Sequence, residues 1–211
     1  MAWVIHATAA AVLLLAIRQT NWRLFYHSRL LQHLSLGGIA ILSFVWLMSA
    51  RLDQGLSIHF LGITALTLML GYRRALIASA IIVLINQSFA GYPWSAISSL
   101  YLTHGVVPAT ATYLAYAVIY HRLPHHPFVY LFVNAFLTGA LAIGFTHLTH
   151  SLWAWGTGYL SWDAVWHNYA LITPLVMFPE ALLNGMAVTL MVVYKPDWLI
   201  TFNDATYLDK G

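Results

Sequence analysis

Apolar runs of roughly 15 to 25 residues, the length a membrane helix needs, recur along the whole chain and are parted by short polar stretches. They predict seven helical spans, near residues 1–17, 30–50, 58–71, 75–90, 97–120, 128–147 and 169–194. The third and fourth are short for a bilayer, and Arg73 and Arg74 between them mark a tight turn that cannot sit in hydrocarbon. A pair of half-length or closely packed helices around Gly62 and Gly71 is the alternative there, and short spans are where transporters often place binding sites.

The polar stretches set an orientation. Arg18, Arg23 and Arg29 fall between the first two spans, Arg73 and Arg74 between the third and fourth, Arg122 after the fifth, and Lys195 and Lys210 after the seventh. The other loops hold only Arg51, offset by Asp53, and residues 88–95 and 151–168 carry neither Lys nor Arg. Because basic residues collect on the cytoplasmic side, this alternation predicts the N-terminus outside and the C-terminus in the cytoplasm. The first run has no basic leader and no small-residue cleavage site, so it reads as a retained helix and not a signal peptide. The segment 149–168, with Trp153, Trp155, Trp162 and Trp166, suits an interfacial hairpin or lid, or simply an aromatic belt at the headgroup level. The tail from Lys195 is short and polar.

Composition supports the same picture. At 61% hydrophobic and 7% charged, 211 residues offer too little polar surface for a soluble globule. The expected fold class is therefore all-α: one polytopic transmembrane helical bundle, residues 1–211, in contact with membrane lipid. A formal charge of +3 reflects basic cytoplasmic loops and is no argument for nucleic acid. The absence of Cys removes disulfides and thiolate ligands, which leaves imidazole, carboxylate, Met thioether and backbone groups for any ion.

Eleven histidines then stand out. His27, His33, His121, His125 and His126 fall on or near the predicted cytoplasmic side, the last three as loop or surface residues. His6, His59, His104, His147, His150 and His167 approach the outer side from different spans, and His147 and His150, three apart, share a helix face. One intramembrane His alone is most simply a hydrogen-bond partner of a neighbouring helix. Six at one face ask for a user: a divalent ion with three or four nitrogen ligands, or a haem iron held between two imidazoles. Glu180 is the acidic residue set well inside an apolar run, and Asn184 lies one turn later on its face. An intramembrane carboxylate is a candidate functional group, and a Glu–Asn pair is equally a means of joining helices.

Three stretches, Ser57–Leu76 with His59 ahead of a small-residue run and Gly71, His104-Gly-Val-Val-Pro108 with its following Ala- and Thr-rich helix, and Phe178-Pro-Glu-Ala-Leu-Leu-Asn-Gly185, resemble in order and spacing the CbiM-type permeases. The resemblance implies a substrate-binding membrane component of an energy-coupling-factor ABC transporter for cobalt or nickel in a prokaryotic plasma membrane. Such a component works with a transmembrane coupling subunit and cytoplasmic ATPases, and His59 corresponds to the family's histidine ligand. The family's opening Met-His chelate is missing, since this chain begins Met-Ala-Trp-Val-Ile-His. No Gly-x-x-x-x-Gly-Lys-Ser/Thr phosphate loop, His-Glu-x-x-His motif or Gly-x-Ser-x-Gly elbow occurs, so the chain is not expected to be an enzyme. Two rival readings follow from the residues: a histidine-ligated haem or copper redox protein, and a ligand-free membrane subunit or assembly factor.

Overall fold

The computed structural model describes residues 2–48, 50–51, 57–58, 60–90 and 94–207. The chain is an all-α polytopic helical protein. Its elements are α1 (Ala2–Gln19), α2 (Trp22–His27), α3 (Arg29–Leu47), α4 (Ile63–Leu70), α5 (Tyr72–Ala90), α6 (Trp94–Arg122), α7 (Pro127–Gly156), α8 (Trp162–Val165), α9 (Thr173–Tyr194) and α10 (Asp204–Tyr207). A two-residue ladder between β1 (Ala50–Arg51) and β2 (Ser57–Ile58) closes the loop before α4. By length and composition α3, α6, α7 and α9 are each able to cross a membrane, and a shorter apolar helix, Trp3–Gln19, accompanies them. Their outward faces carry Leu14, Leu36, Phe44, Leu114, Leu148 and Leu175, all exposed. That inversion of the soluble pattern suits lipid.

The short third span is a buried half-helix. α4 has eight residues, about 12 Å of helix against a hydrocarbon core of about 30 Å. Ile63, Leu66, Leu68, Leu70 and the two threonines Thr64 and Thr67 are all buried, so the helix lies inside a ring formed by its neighbours. Glycines bound it at both ends. Gly62 has φ +63°, and a Cβ there would stand 2.5 Å from Leu42 Cδ2; Gly71 has φ +77°. A left-handed residue is what ends regular backbone cheaply, and only glycine does so without steric cost.

A half-helix buried in a membrane protein leaves backbone groups at both ends that water cannot reach. At the C-terminal end every one of the last four carbonyls is met. Gly71 N donates to Thr67 O (2.9 Å), Thr201 Oγ1 to Leu68 O (2.8 Å), Ile200 N to Met69 O (3.2 Å) and Arg74 Nε to Leu70 O (2.8 Å). The tail therefore folds back into the bundle. Leu199, Phe202 and Tyr207 are buried, Tyr130 packs its ring against Phe202 and Tyr207, and its hydroxyl bonds Thr201 Oγ1 at 2.7 Å. This corrects the sequence picture of a short polar tail: seven residues of spacing hide three apolar anchors behind Asn203, Asp204 and Thr206. Contacts also gather basic positions at this end, where Arg73 Nη1 donates to Gln19 O at 2.7 Å.

One other sequence boundary moves. α7 continues to Gly156, nine residues past the predicted end at His147, so the first half of the Trp-rich segment is helix. α9 runs through Pro179 unbroken, because Pro removes one donor without removing the packing that holds both sides. The helices α6 and α7 also contain wider, π-type stretches at Tyr101–Val106 and Tyr130–Leu137.

Candidate functional site

The opposite end of α4 is finished by side chains from α9. Glu180, buried in α9, accepts from Leu61 N (Oε2, 2.9 Å) and Gly62 N (Oε1, 2.8 Å). Asn184 Nδ2 donates to Glu180 Oε1 at 2.8 Å, and Asn184 Oδ1 accepts from Ala65 N at 2.8 Å. A carboxylate set at a helix N-terminus also opposes the positive end of the helix dipole. So the Glu–Asn pair works as a cap supplied from another helix, with three donors on the carboxylate. Gly139 of α7 makes room for it: a Cβ there would come within 3.2 Å of Asn184 Cβ.

The segment that Glu180 holds is the one that follows His59. His59 itself lies outside the described residues. Phe60 and Leu61 are described, and Leu61 is tied on both sides, its N–H to Glu180 and its carbonyl to Trp46 Nε1 at 3.0 Å. Trp46 in turn stands edge-on to the His104 ring, 6.3 Å between centroids. One aromatic side chain thus links the His59 segment to α6.

His104 sits in the π-type stretch of α6. Such stretches displace side chains from the regular helical register and are frequent at functional sites. Gly105 lets α5 come close, since a Cβ there would meet Ser79 Oγ at 2.7 Å. The His104 ring reaches the His150 ring of α7, 5.5 Å between centroids and 79° between planes. His150 is stacked on Tyr169 (5.6 Å) and lies beside Trp153 (5.9 Å). His147, one turn earlier, stands edge-on to the same Tyr169 ring, 6.0 Å between centroids. Among the described residues, His150 Nδ1 and Trp153 Nε1 are buried with no hydrogen-bond partner.

Hydrogen bonds fix two of these imidazoles. Thr103 Oγ1 has one proton, and it goes to Ser99 O at 2.8 Å, so the 2.8 Å contact with His104 Nδ1 is a bond that Nδ1–H donates. Thr173 gives its proton to Tyr169 O at 2.6 Å, so His147 Nδ1–H donates to Thr173 Oγ1 at 2.9 Å. In both rings Nε2 is then the nitrogen with the lone pair.

The remaining two candidates stand apart from this group. His6 is exposed and bonds Ser98 Oγ through Nδ1 at 2.8 Å, on the rim of an apolar groove between α1, α5 and α6. His167 is exposed, with Nδ1 3.0 Å from Asp163 O and 3.4 Å from Asp163 Oδ1. Among the described residues, no three His, Asp or Glu side chains come together as a cation site. Sequence reasoning named His104, His147 and His150 and missed the residues that place them. Trp46, Thr103, Thr173 and Tyr169 carry no signal of their own in an apolar chain, although Thr103 directly before His104 is a pattern worth noting.

A family described as "CbiM: Cobalt uptake substrate-specific transmembrane region" matches residues 1–198. The chain belongs to the CbiM family. No curated protein and no solved structure matches it. As a CbiM member it is a membrane component for cobalt uptake and not an enzyme, and the family match covers all six candidate histidines, Glu180 and Asn184. For a CbiM protein the imidazole group is chemically apt, because neutral imidazole is a good ligand for divalent cobalt, nickel and zinc.

Proposed function

We propose that this chain captures a divalent transition metal, cobalt or nickel, from the outer side of a prokaryotic plasma membrane. It serves as the substrate-binding component of an energy-coupling-factor ABC importer. Its partners are a transmembrane coupling subunit and cytoplasmic ATPases, which supply the nucleotide chemistry for which this chain has no motif. The ion is the cargo and not a resident cofactor.

The observation that carries this reading is the convergence of imidazoles where the His59 segment is anchored: His104 and His150 in ring contact, and Trp46 joining them to Leu61. His59, the family's histidine by resemblance, and the grouped His104, His147 and His150 are the proposed ligands, while His6 and His167, exposed and apart, are lesser candidates. Glu180 and Asn184 support the reading indirectly, by holding the ligand-bearing segment to a half-helix that other helices surround. Outward orientation of this end follows from the basic residues gathered at the other.

Calorimetric titration of the purified protein with Co2+ and Ni2+, alongside His59→Ala, tests the reading. Tight binding by the unaltered protein and at least a tenfold loss in the variant are expected. Equal binding by both sinks the His59 assignment, and no binding of either ion by the unaltered protein sinks the function.

A further inference from the structure

We infer that His104 and His150 form a two-imidazole metal site of their own, a second station for the ion besides His59. The inference rests on the import reading above and sets two of its candidate ligands apart as a pair that holds an ion by itself.

The first argument is geometric. Two imidazoles bonded to one tetrahedral ion at about 2.0–2.1 Å set their ring centroids about 5 to 5.5 Å apart, whereas two imidazoles on opposite faces of an iron stand about 6.3 Å apart. The observed 5.5 Å fits an angle near tetrahedral and falls short of the axial arrangement. The planes cross at 79°, an edge-to-face contact that brings the two rings together without stacking them.

The second argument is chemical. The Thr103 relay makes Nδ1 of His104 the donor and Nε2 the lone-pair nitrogen. Metal-bound histidines commonly donate their second ring N–H in this way, which orients the ring and raises its basicity. In His150 the nitrogen Nδ1 is buried and meets no partner among the described residues. A buried polar atom left unbonded is costly, and such an atom calls for an explanation. A divalent ion shared with His104 supplies one.

The third argument concerns release. Two protein ligands, with water completing the shell, hold an ion less firmly than the closed four-ligand sites of structural zinc. A transport site has to give up its cargo, so binding must be favourable enough to enter and weak enough to leave. Tyr169, Trp153 and Trp46 wall the pair with aromatic rings, and the nitrogen chemistry selects borderline divalent transition ions over Mg2+ or Ca2+.

The experiment uses the full chain in detergent with CoCl2 as probe. It follows the visible absorption of bound Co2+ and counts ligands by X-ray absorption in the unaltered protein. Expected are at least two imidazole nitrogens on the metal, at least a tenfold loss of affinity with an altered spectrum in His104→Gln and in His150→Gln, and a several-fold loss in Thr103→Val. Fewer than two imidazoles on the bound ion overturns the pair whether or not the variants fold. Affinity and spectrum unchanged in both glutamine variants, with His59→Ala still defective, also overturns it while leaving the import reading intact. An unaltered protein that binds no Co2+ removes both.

Discussion

The two ends of α4 are finished in different ways. At the C-terminal end, four carbonyls meet four donors, and the tail packs Leu199, Phe202 and Tyr207 against it. At the other end a buried carboxylate and amide hold the backbone, but a few side chains away His150 Nδ1 and Trp153 Nε1 are buried without partners. The four carbonyls that end α4 are all met, whereas two polar atoms of the histidine group are not. On the proposed function, the difference separates buried polar groups that complete the fold from those available to a ligand.

Removing the carboxylate is the strongest way to break that comparison. Glu180→Ala strands Leu61 N, Gly62 N and Asn184 Nδ2, and losing the acceptor for three buried donors costs about 4 kcal/mol. The expected fall in unfolding midpoint is roughly 10 °C for a domain of this size. Glu180→Gln keeps an acceptor oxygen and should lose less than half as much. An alanine variant as stable as the unaltered protein means Glu180 is not the cap, and that it belongs with the ligand groups instead.

Gly62→Ala comes next. The left-handed φ costs an L-residue about 1 to 2 kcal/mol, and the new Cβ would have to displace Leu42 Cδ2 from 2.5 Å. Because Gly62 is three positions from His59, this variant should also weaken Co2+ binding, which the tail variants should not. Loss of stability with unchanged affinity would separate the anchored segment from the metal.

How much of this was legible in the chain follows from how far apart the interacting residues are. Apolar periodicity is local, so the helices were readable, and the half-helix was suggested by a short span between Gly62 and Gly71. Glu180 and Asn184 were visible as polar residues in an apolar run, but their role was not, because their partners at Leu61, Gly62 and Ala65 lie more than a hundred residues away. His104 and His150 were candidates, while their contact depends on a π-type stretch and on α7 running past His147, neither of which has a simple sequence mark. The buried tail was hidden for a related reason: its anchors are spaced by polar residues that face outward.

Thr201→Val tests the sealed end. It removes the bond to Leu68 O and the link to Tyr130, and a stability loss of about 1 kcal/mol is expected. Its Co2+ affinity should equal that of the unaltered protein.

The smallest effect is the most informative about how the ends are related. Glu180 and Thr201 act on opposite termini of an eight-residue helix, about 12 Å apart, with no shared partner. Independent sites at that separation add to within about 0.5 kcal/mol, so a double-mutant cycle of Glu180→Gln with Thr201→Val should give a coupling no larger than this. A coupling well above it would mean that α4 moves as one body, tightened or loosened at both ends together. In that case Thr201→Val should also shift Co2+ affinity, and the tail would be placed where a cytoplasmic partner could act on the outer site through α4. Additive losses with unchanged affinity would instead make the tail a plug, and the contrast between the ends a division of labour.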